Sequence, residues 1–277
     1  MKKIKPIYKF FICVITCIFI FVFGTRLIFG AFPIIYINGE RYWLYSSEVI
    51  IKPYILDQKE LDKISHFVRL KRLSVGTYRT DLSCLNGLTR LEKLNLDFTS
   101  AEGRVVDFEK LETFPDLKFF SIISNNIDGS YIERSKDLEV LYINSNVAVN
   151  SEKIWNCRKL KEVVIHVRSG EFSFDGVSAL DDMEFLYISD HDVDETKKAS
   201  ITGTSELSKC KNLSKLVLHC DIDDHSFLND MPALKKLTVY EGALSADIEK
   251  TLKAKGVEID YAKGVEIDYN KHNDKKI

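Results

Sequence analysis

Two acidic segments that contain histidine are the first places to look for chemistry in this sequence. They are "SDHDVDE" at 189–195 and "CDIDDHS" at 220–226. Asp190, Asp192 and Asp194 have the spacing of the first ligands of a calcium-binding EF-hand loop. Glu195, however, stands where that loop requires Gly, and Ile201 stands where it requires the closing Glu. The sequence therefore predicts solvated turns and no metal centre.

The motifs of the common catalytic centres are missing from the sequence. It contains no G-x-S-x-G, no Gly-rich phosphate loop and no H-E-x-x-H, and each of these supplies a nucleophile, a phosphate cradle or a metal site. Residues 1–30 contain five basic residues and no acidic one, so the remainder of the chain has a net charge of −7. An acidic body argues against nucleic-acid binding. We predict a non-enzymatic protein without a cofactor and without a nucleic-acid partner.

Residues 1–30 read "MKKIKPIYKFFICVITCIFIFVFGTRLIFG", a basic start followed by an apolar segment. A membrane span needs about 20 apolar residues, and 6–30 supply them. An uncleaved membrane anchor and a cleaved signal peptide are both open, and the best cleavage site, "VFG" before Thr25, is poor. We predict a single-pass anchor in the cell membrane with the C-terminal part outside. Secretion after signal cleavage is the alternative.

The stretch "LKFFSIISNN" at 117–126 belongs to a repeat. It fits the template L-x-x-L-x-L-x-x-N, and seven further segments fit with drift, at steps of 21 to 30 residues. These segments are "LKRLSVGT" from Leu70, "LEKLNLDF" from Leu91, "LEVLYINSN" from Leu138, "LKEVVIHV" from Leu160, "MEFLYISD" from Met183, "LSKLVLHC" from Leu213 and "LKKLTVYE" from Leu234. Such units cannot bury an apolar face alone, so they stack into a solenoid with a continuous core.

This pattern resembles the leucine-rich repeat family over about residues 46–261. The run "LNGLTRLEKLNL" at 85–96 is similar to bacterial surface proteins of the internalin type. The resemblance implies an α/β solenoid with a parallel sheet on its concave face and short helices or irregular coils on its convex face. The consensus Asn occurs only at Asn125 and Asn146, so we expect a less regular Asn ladder than the family has.

Sequence signals at both ends of the repeats predict caps. Asn38-Gly39 between two apolar alternating runs predicts a hairpin. Asp57, with Glu60 three residues on, predicts the start of a helix. The apolar residues of this helix that would cover the first coil are Leu61, Ile64 and Phe67. The predicted organisation is an apolar segment at 1–30, an N-terminal cap at 31–69, the repeat domain at 70–261 and a tail at 262–277.

The C-terminal cap is predicted from helix signals and from a duplicated octapeptide. Ser245 begins a helix and Gly256 ends it. The segment "VEIDY" at 257–261 supplies a final strand. The octapeptide "AKGVEIDY" occurs at 254–261 and again at 262–269. The second copy is a further edge strand or an unstructured tail, and we favour the tail.

Phe119 and Phe120 are neighbours, and successive strand residues point to opposite faces. Leu117, Phe120 and Ile122 are predicted to enter the core, which leaves Phe119 on the concave face. Aligned in the same way, the middle repeats present an apolar ligand-binding patch: Phe119, Val140, Tyr142, Val164, Phe185 and Tyr187. We predict a protein ligand, while a glycan that stacks on the rings is also open. The alternatives are that strands simply favour aromatic residues or that a loop covers the patch.

The remaining function classes are a cell-envelope spacer without a ligand and the sensory half of a membrane complex. His166 and His219 share one column of the repeat, two coils or about 10 Å apart, and are expected to be exposed polar side chains. Geometry separates the cysteines beyond disulfide reach. The four expected to be free thiols in the core are Cys84, Cys157, Cys210 and Cys220.

Overall fold

A computed structural model describes the chain over five ranges, which are 33–79, 81–98, 114–190, 199–240 and 244–262. The predicted membrane anchor, the C-terminal tail beyond Ala262 and residues 191–198, which include most of the first acidic segment, lie outside the described residues. Within the five ranges, none of the helices combines the length and the apolar character that a membrane crossing requires.

Fourteen strands occur in the described ranges. They are β1 (Ile34–Ile37), β2 (Glu40–Trp43), β3 (Glu48–Leu56), β4 (Arg72–Thr77), β5 (Lys93–Asp97), β6 (Phe119–Asp128), β7 (Val140–Val149), β8 (Glu162–Val167), β9 (Glu171–Ser173), β10 (Phe185–Ser189), β11 (Ser200–Thr202), β12 (Lys215–His219), β13 (Lys236–Tyr240) and β14 (Glu258–Ala262). Ten of them form one sheet in the order β14-β13-β12-β10-β8-β7-β6-β5-β4-β3. Adjacent strands in this sheet are parallel.

All eight predicted repeat segments supply a strand to this sheet, and they pair in sequence order, which confirms the solenoid. The core lies on one side of the sheet. Leu117, Phe120 and Ile122 are buried in it, as predicted. Each such side chain contributes about 1.5–3 kcal/mol through removal of its apolar surface from water. The first strand, β3, is not part of the predicted repeat.

Short helices and turns return the chain between the strands on the opposite, convex side. In the described part of the chain three of them are α-helical, namely α1 (Gln58–Asp62), α2 (Gly129–Ile132) and α3 (Ala246–Ala254). The 3-10 helices are Lys63–His66, Ser83–Leu85, Ser151–Asn156, Val177–Ala179, Thr204–Lys209 and Ser226–Asp230. Outside the main sheet, β9 and β11 form a second, parallel pair.

The N-terminal cap has the predicted hairpin and helix. Asn38 and Gly39 adopt positive φ values of 49° and 80°, as a two-residue hairpin turn requires. The Asp57 carboxylate accepts from the Glu60 backbone N–H at 2.9 Å and caps α1. The Glu60 carboxylate accepts at 2.7 Å from the backbone N–H of Asn38. Lys63 Nζ donates to the Tyr36 carbonyl, also at 2.7 Å. Two polar contacts therefore join the hairpin to the helical segment.

The apolar residues predicted in this cap, Leu61, Ile64 and Phe67, are fully buried. At the other end, the Ser245 hydroxyl caps α3 by accepting from the Ile248 N–H. Gly256 stops the helix with a φ of 78°, and β14 then pairs with β13. The caps that the sequence predicts are thus present at both ends of the core.

The four cysteines outside the N-terminal segment are free thiols, as predicted. Cys157 Sγ donates to the Ile132 carbonyl at 3.2 Å. Cys210 Sγ lies 3.7 Å from the Val177 carbonyl. Both residues follow a 3-10 helix directly and reach back to the preceding coil. Their role is to fill a small space between coils.

Candidate ligand-binding face

The concave face of the sheet carries the columns that the sequence predicts. Phe119 pairs with Val140, Tyr142 with Val164, and Val164 with Tyr187. Because these residues alternate with core residues along each strand, their side chains leave the sheet on the side opposite the core. Phe185 belongs to the same column as Phe119 and Val140. The six predicted residues therefore share one face.

Four of the six residues, namely Phe119, Val140, Tyr142 and Phe185, are half-buried and present surface to solvent. The rings of Phe119 and Tyr142 stack with centroids 5.5 Å apart and planes at 29°. Lys93 Nζ lies 4.2 Å from the Phe119 ring centroid, within the range of a cation–π contact. Burial, with a smaller contribution from the Glu162 carboxylate, raises the pKa of Tyr142 to about 12. We call Phe119, Val140, Tyr142 and Phe185 the aromatic patch.

The other two residues differ from the prediction, because Val164 is only 6% exposed and Tyr187 only 3%. Tyr187 is enclosed by two histidines. Its ring centroid lies 4.8 Å from that of His166 and 5.5 Å from that of His219. Its hydroxyl is hydrogen-bonded to His219 Nδ1 at 3.2 Å. Tyr187 and Val164 therefore act as packing residues of the concave face and do not extend the exposed surface.

The expectation of exposed histidines is wrong. His166 and His219 are 9% and 3% exposed. They do lie two coils apart as predicted, since both are register partners of Ser189. Burial, reinforced by the charges of Arg168 and His219, lowers the pKa of His166 to about 4. His166 is therefore neutral at physiological pH. We call His166, Tyr187 and His219 the His–Tyr cluster.

Polar side chains continue this cluster along the sheet. Asn144 is the register partner of His166, and its Oδ1 is buried without a hydrogen-bond partner among the described residues. Ser189 and Asp190 are also buried, and the Asp190 carboxylate accepts from the Asp221 backbone N–H at 3.1 Å. The sequence signal for this arrangement is the run of hydrogen-bonding residues at one repeat position, at which His166 and His219 are expected to be exposed.

Sequence reasoning also missed the first strand of the concave face. Ile50 and Ile55 of β3 are exposed and are in register with Ser74 and Gly76 of β4. They extend the face toward the N-terminal end with aliphatic surface. No repeat template marks this strand, so only its pairing with β4 reveals its place.

The aromatic patch offers groups for non-covalent contact. Within the described ranges no three His, Cys, Asp or Glu side chains are grouped so that they could hold a metal ion. The half-buried rings offer stacking and apolar burial, and Lys93 and Glu162 offer charge beside them. A rigid parallel sheet holds these groups at fixed spacing, which favours recognition of a preformed partner surface.

Comparison with known proteins gives structural matches only. No protein-family model and no curated protein matches the sequence. A leucine-rich-repeat protein from Leptospira interrogans is similar in structure, with 14% identity over 72% of this chain and 51% of that chain, at a TM-score of 0.50. An internalin, inlF, from Listeria monocytogenes has 16% identity over 75% and 57% of the two chains, at 0.47. Internalin C2 from the same organism has 15% identity over 74% and 82%, at 0.41.

The chain spans about half the length of the first two of these proteins. Together with the ten-stranded parallel sheet, the Leptospira structure establishes the class: the fold is that of a leucine-rich-repeat solenoid. At these identities the likeness is one of fold.

Proposed function

We propose that this chain is a non-enzymatic binding protein that captures a protein partner on its concave face, through the aromatic patch. The observation that carries the proposal is the stacked, half-exposed pair of Phe119 and Tyr142 on the side of the sheet away from the core. Exposed aromatic pairs that packing already holds in place are typical anchors of protein interfaces.

The structure around the pair supports a preorganised surface. Val164 and the His–Tyr cluster fill the neighbouring part of the concave face. The aromatic patch therefore lies next to a well-packed part of the concave face. Ordering side chains on binding costs about 0.5–1.5 kcal/mol for each mobile one, and the stacked rings are already ordered. Burial of apolar surface against the patch is thus expected to increase the affinity with little cost in side-chain entropy.

Charged side chains flank the aromatic patch. Lys93 lies over Phe119 and Glu162 lies beside Tyr142. At the two ends of the sheet, basic side chains are already paired: Arg72 with Glu48 at 3.9 Å, and Lys236 with Glu258 and Asp260 at 2.8 and 2.6 Å. We therefore propose a partner with an apolar centre and no strong net charge. A glycan ligand remains the alternative that ring stacking supports.

We also propose that the protein acts outside the cell membrane, attached by the apolar segment at 6–30. The support is in the sequence: about 25 mainly apolar residues follow a basic start. Basic residues stay on the cytoplasmic side, so the solenoid would be exported. A binding face on an exported, anchored solenoid suits capture of partners in the envelope or its surroundings.

Photocrosslinking in intact cells tests the proposed function. A photoreactive residue replaces Ser121, the register partner of Tyr142, so that the aromatic patch itself stays intact. The matched control carries the same residue at Glu152, which is exposed on a convex 3-10 helix. A discrete protein adduct from position 121 and not from 152 supports the proposal. No adduct from either position indicates a spacer, and an adduct that carries carbohydrate indicates a glycan ligand.

A further inference from the structure

The N-terminal hairpin has two faces of different character. Its inner face packs on the solenoid, where Ile37 is fully buried and Ile35 and Tyr42 pack against the core. The Tyr42 ring makes an edge contact with Phe67 at 6.5 Å between centroids. The pleat of a strand sends the alternate residues the opposite way. The hairpin is therefore held by one face and presents the other outward.

The outward face carries large aromatic side chains. Ile34 pairs with Trp43 and Tyr36 pairs with Arg41 across the hairpin, and cross-strand partners share a face. Tyr36 is 58% exposed and Trp43 is 50% exposed. Single exposed apolar residues are common on protein surfaces. Two exposed aromatic residues on one face of a hairpin whose strands have only four residues each call for a functional explanation.

Residues that follow the hairpin enlarge this surface. Tyr45 is 40% exposed, and its ring lies 6.3 Å from that of Trp43. The guanidinium of Arg69 lies 5.6 Å from the Tyr45 ring centroid. We call Tyr36, Trp43 and Tyr45, with the flanking Arg41 and Arg69, the outer aromatic patch. Its rings have polar groups at their tips, and its cations are exposed.

This composition fits the boundary between a bilayer and water. Trp and Tyr are enriched there because an apolar ring with a polar tip suits a half-wet environment. Arg side chains place their stems in apolar surroundings and their charges at lipid phosphates. A second copy of the chain fits less well. Three half-exposed rings offer roughly 300 Å² together, whereas a stable dimer needs about 800 Å² from each partner.

The position of the patch in the chain points to the same surface. Ile34 begins the hairpin four residues after the apolar segment that ends at residue 30. An extended chain covers at most about 3.5 Å per residue, or about 14 Å over this distance. Trp43 lies directly across from Ile34, which adds about 5 Å. Trp43 therefore lies at most about 19 Å from the end of the apolar segment. The headgroup region, which is about 5–8 Å thick, falls within that distance.

We propose that the outer aromatic patch seats the N-terminal cap in the headgroup region of the outer leaflet, so that the solenoid rests on the lipid surface. This inference rests on the membrane attachment proposed above. The partner is the lipid bilayer itself, and the rings and the two arginines supply the contact.

Quenching of tryptophan fluorescence by brominated lipids tests the inference. The full chain is reconstituted into vesicles of phosphatidylcholine and phosphatidylglycerol that carry bromine near the carbonyl end of the acyl chains. The chain has two tryptophans, and Trp155 is 1% exposed in the solenoid core. The matched control is Trp43→Phe, which keeps an aromatic ring at position 43 and removes the exposed indole, so that only Trp155 emits as tryptophan. We expect the wild type to lose at least a third of its emission to bromine and Trp43→Phe to lose almost none.

Flotation of the vesicles separates the two proposals. Equal quenching in the wild type and in Trp43→Phe, with both proteins floating, overturns the seating of the cap and leaves the attachment intact. Protein that does not float overturns the attachment and the seating with it. An emission maximum that shifts with protein concentration, without a response to bromine, assigns the patch to a second copy and also overturns the inference.

Discussion

The hydroxyl of Tyr187 and Nδ1 of His219 lie 3.2 Å apart and are hydrogen-bonded, although both side chains leave the sheet on the face opposite the core. The concave face is thus divided into two parts. Around Tyr187 it is buried and polar, and around the stacked pair of Phe119 and Tyr142 it is half-exposed and aromatic. Stability is expected to depend on the first part and binding on the second.

Replacement of Tyr187 by Ser is expected to lower the free energy of unfolding by about 3 kcal/mol, because it empties a buried site and removes the partner of His219. Tyr142→Ser, at a half-buried position of the neighbouring patch, is the matched control and should cost about 1 kcal/mol. Urea denaturation followed by circular dichroism measures both. Equal losses would show that the division of the face is wrong.

The double variant Phe119→Ser/Tyr142→Ser is expected to weaken partner binding at least 30-fold, since aromatic anchors contribute 2 kcal/mol or more to an interface. Its melting temperature should stay within a few degrees of the wild type. The control is Val149→Ser, which removes an exposed apolar side chain at the far end of β7, beyond the concave columns. Affinity for the crosslinked partner is measured by titration. Unchanged affinity in the double variant would exclude the patch as the binding site.

The stability of the protein is expected to fall as the pH decreases from about 6.5 to about 4. The pKa of His166 is about 4 in the folded protein and 6.5 in a free histidine, so the unfolded chain takes up a proton in this interval that the folded chain refuses. This difference in proton uptake changes the free energy of unfolding by up to about 1.4 kcal/mol per pH unit, and it has no effect above about pH 7. Urea midpoints at pH 7, 6 and 5 measure it.

His166→Gln is the control for this pH dependence, because it keeps a polar side chain and removes the titration. Its stability should change less between pH 7 and pH 5 than that of the wild type. Identical pH slopes for the two proteins would mean that His166 is not held neutral by the fold.

Gly129 at the start of α2 is expected to tolerate no side chain. A Cβ at this position would lie 2.1 Å from the backbone carbonyl oxygen of Asn150 in the next coil, and backbone cannot move aside cheaply. Gly129→Ala should cost about 1–3 kcal/mol or more, whereas Ser130→Ala beside it should cost less than about 1 kcal/mol. Thermal melts compare the two, and similar melting temperatures would contradict the close packing of these coils.

The thiols should react in an order set by burial. Cys84 is half-buried, while Cys157, Cys210 and Cys220 are buried. Burial raises the pKa of Cys84, Cys157 and Cys210 alike to about 12, so access of the reagent, and not thiol acidity, distinguishes Cys84. In the native protein, alkylation at pH 8 should therefore modify Cys84 first. After denaturation without reductant, all four should react, as mass spectrometry of the peptides would show. A residue among them that stays unmodified would indicate a disulfide.

The repeat strands could be predicted because their signal is local and periodic. Leu and Ile recur at fixed positions of each segment, and the alternation of a strand then gives the direction of Phe119 and of Phe120. Even the sparse consensus Asn was informative, since Asn146 Nδ2 donates to Asn125 Oδ1 at 3.2 Å across adjacent coils. Hairpin and helix caps could be predicted for the same reason, because their residues lie close together in the sequence.

Burial on the concave face could not be predicted, because it depends on the sizes of neighbours from other coils. Tyr187 is covered by His166 and His219, which lie 21 and 32 residues away in the sequence. The strand β3 escaped notice because "EVIIKPYIL" has no Leu at the repeat positions and contains Pro53. Its membership of the sheet follows from pairing with β4, which is a non-local property.

The hairpin and the segment after it are joined twice, by the Asn38 N–H at the Glu60 carboxylate and by Lys63 at the Tyr36 carbonyl. These two contacts hold the hairpin rigidly against the solenoid. A tilt of β1 and β2 is therefore transmitted to the whole stack of coils. The direction in which the concave face points is then determined by the hairpin, which precedes β3, the first strand of that face. Replacement of Glu60 would change the orientation of the concave face relative to the hairpin and leave the binding groups on that face unaltered.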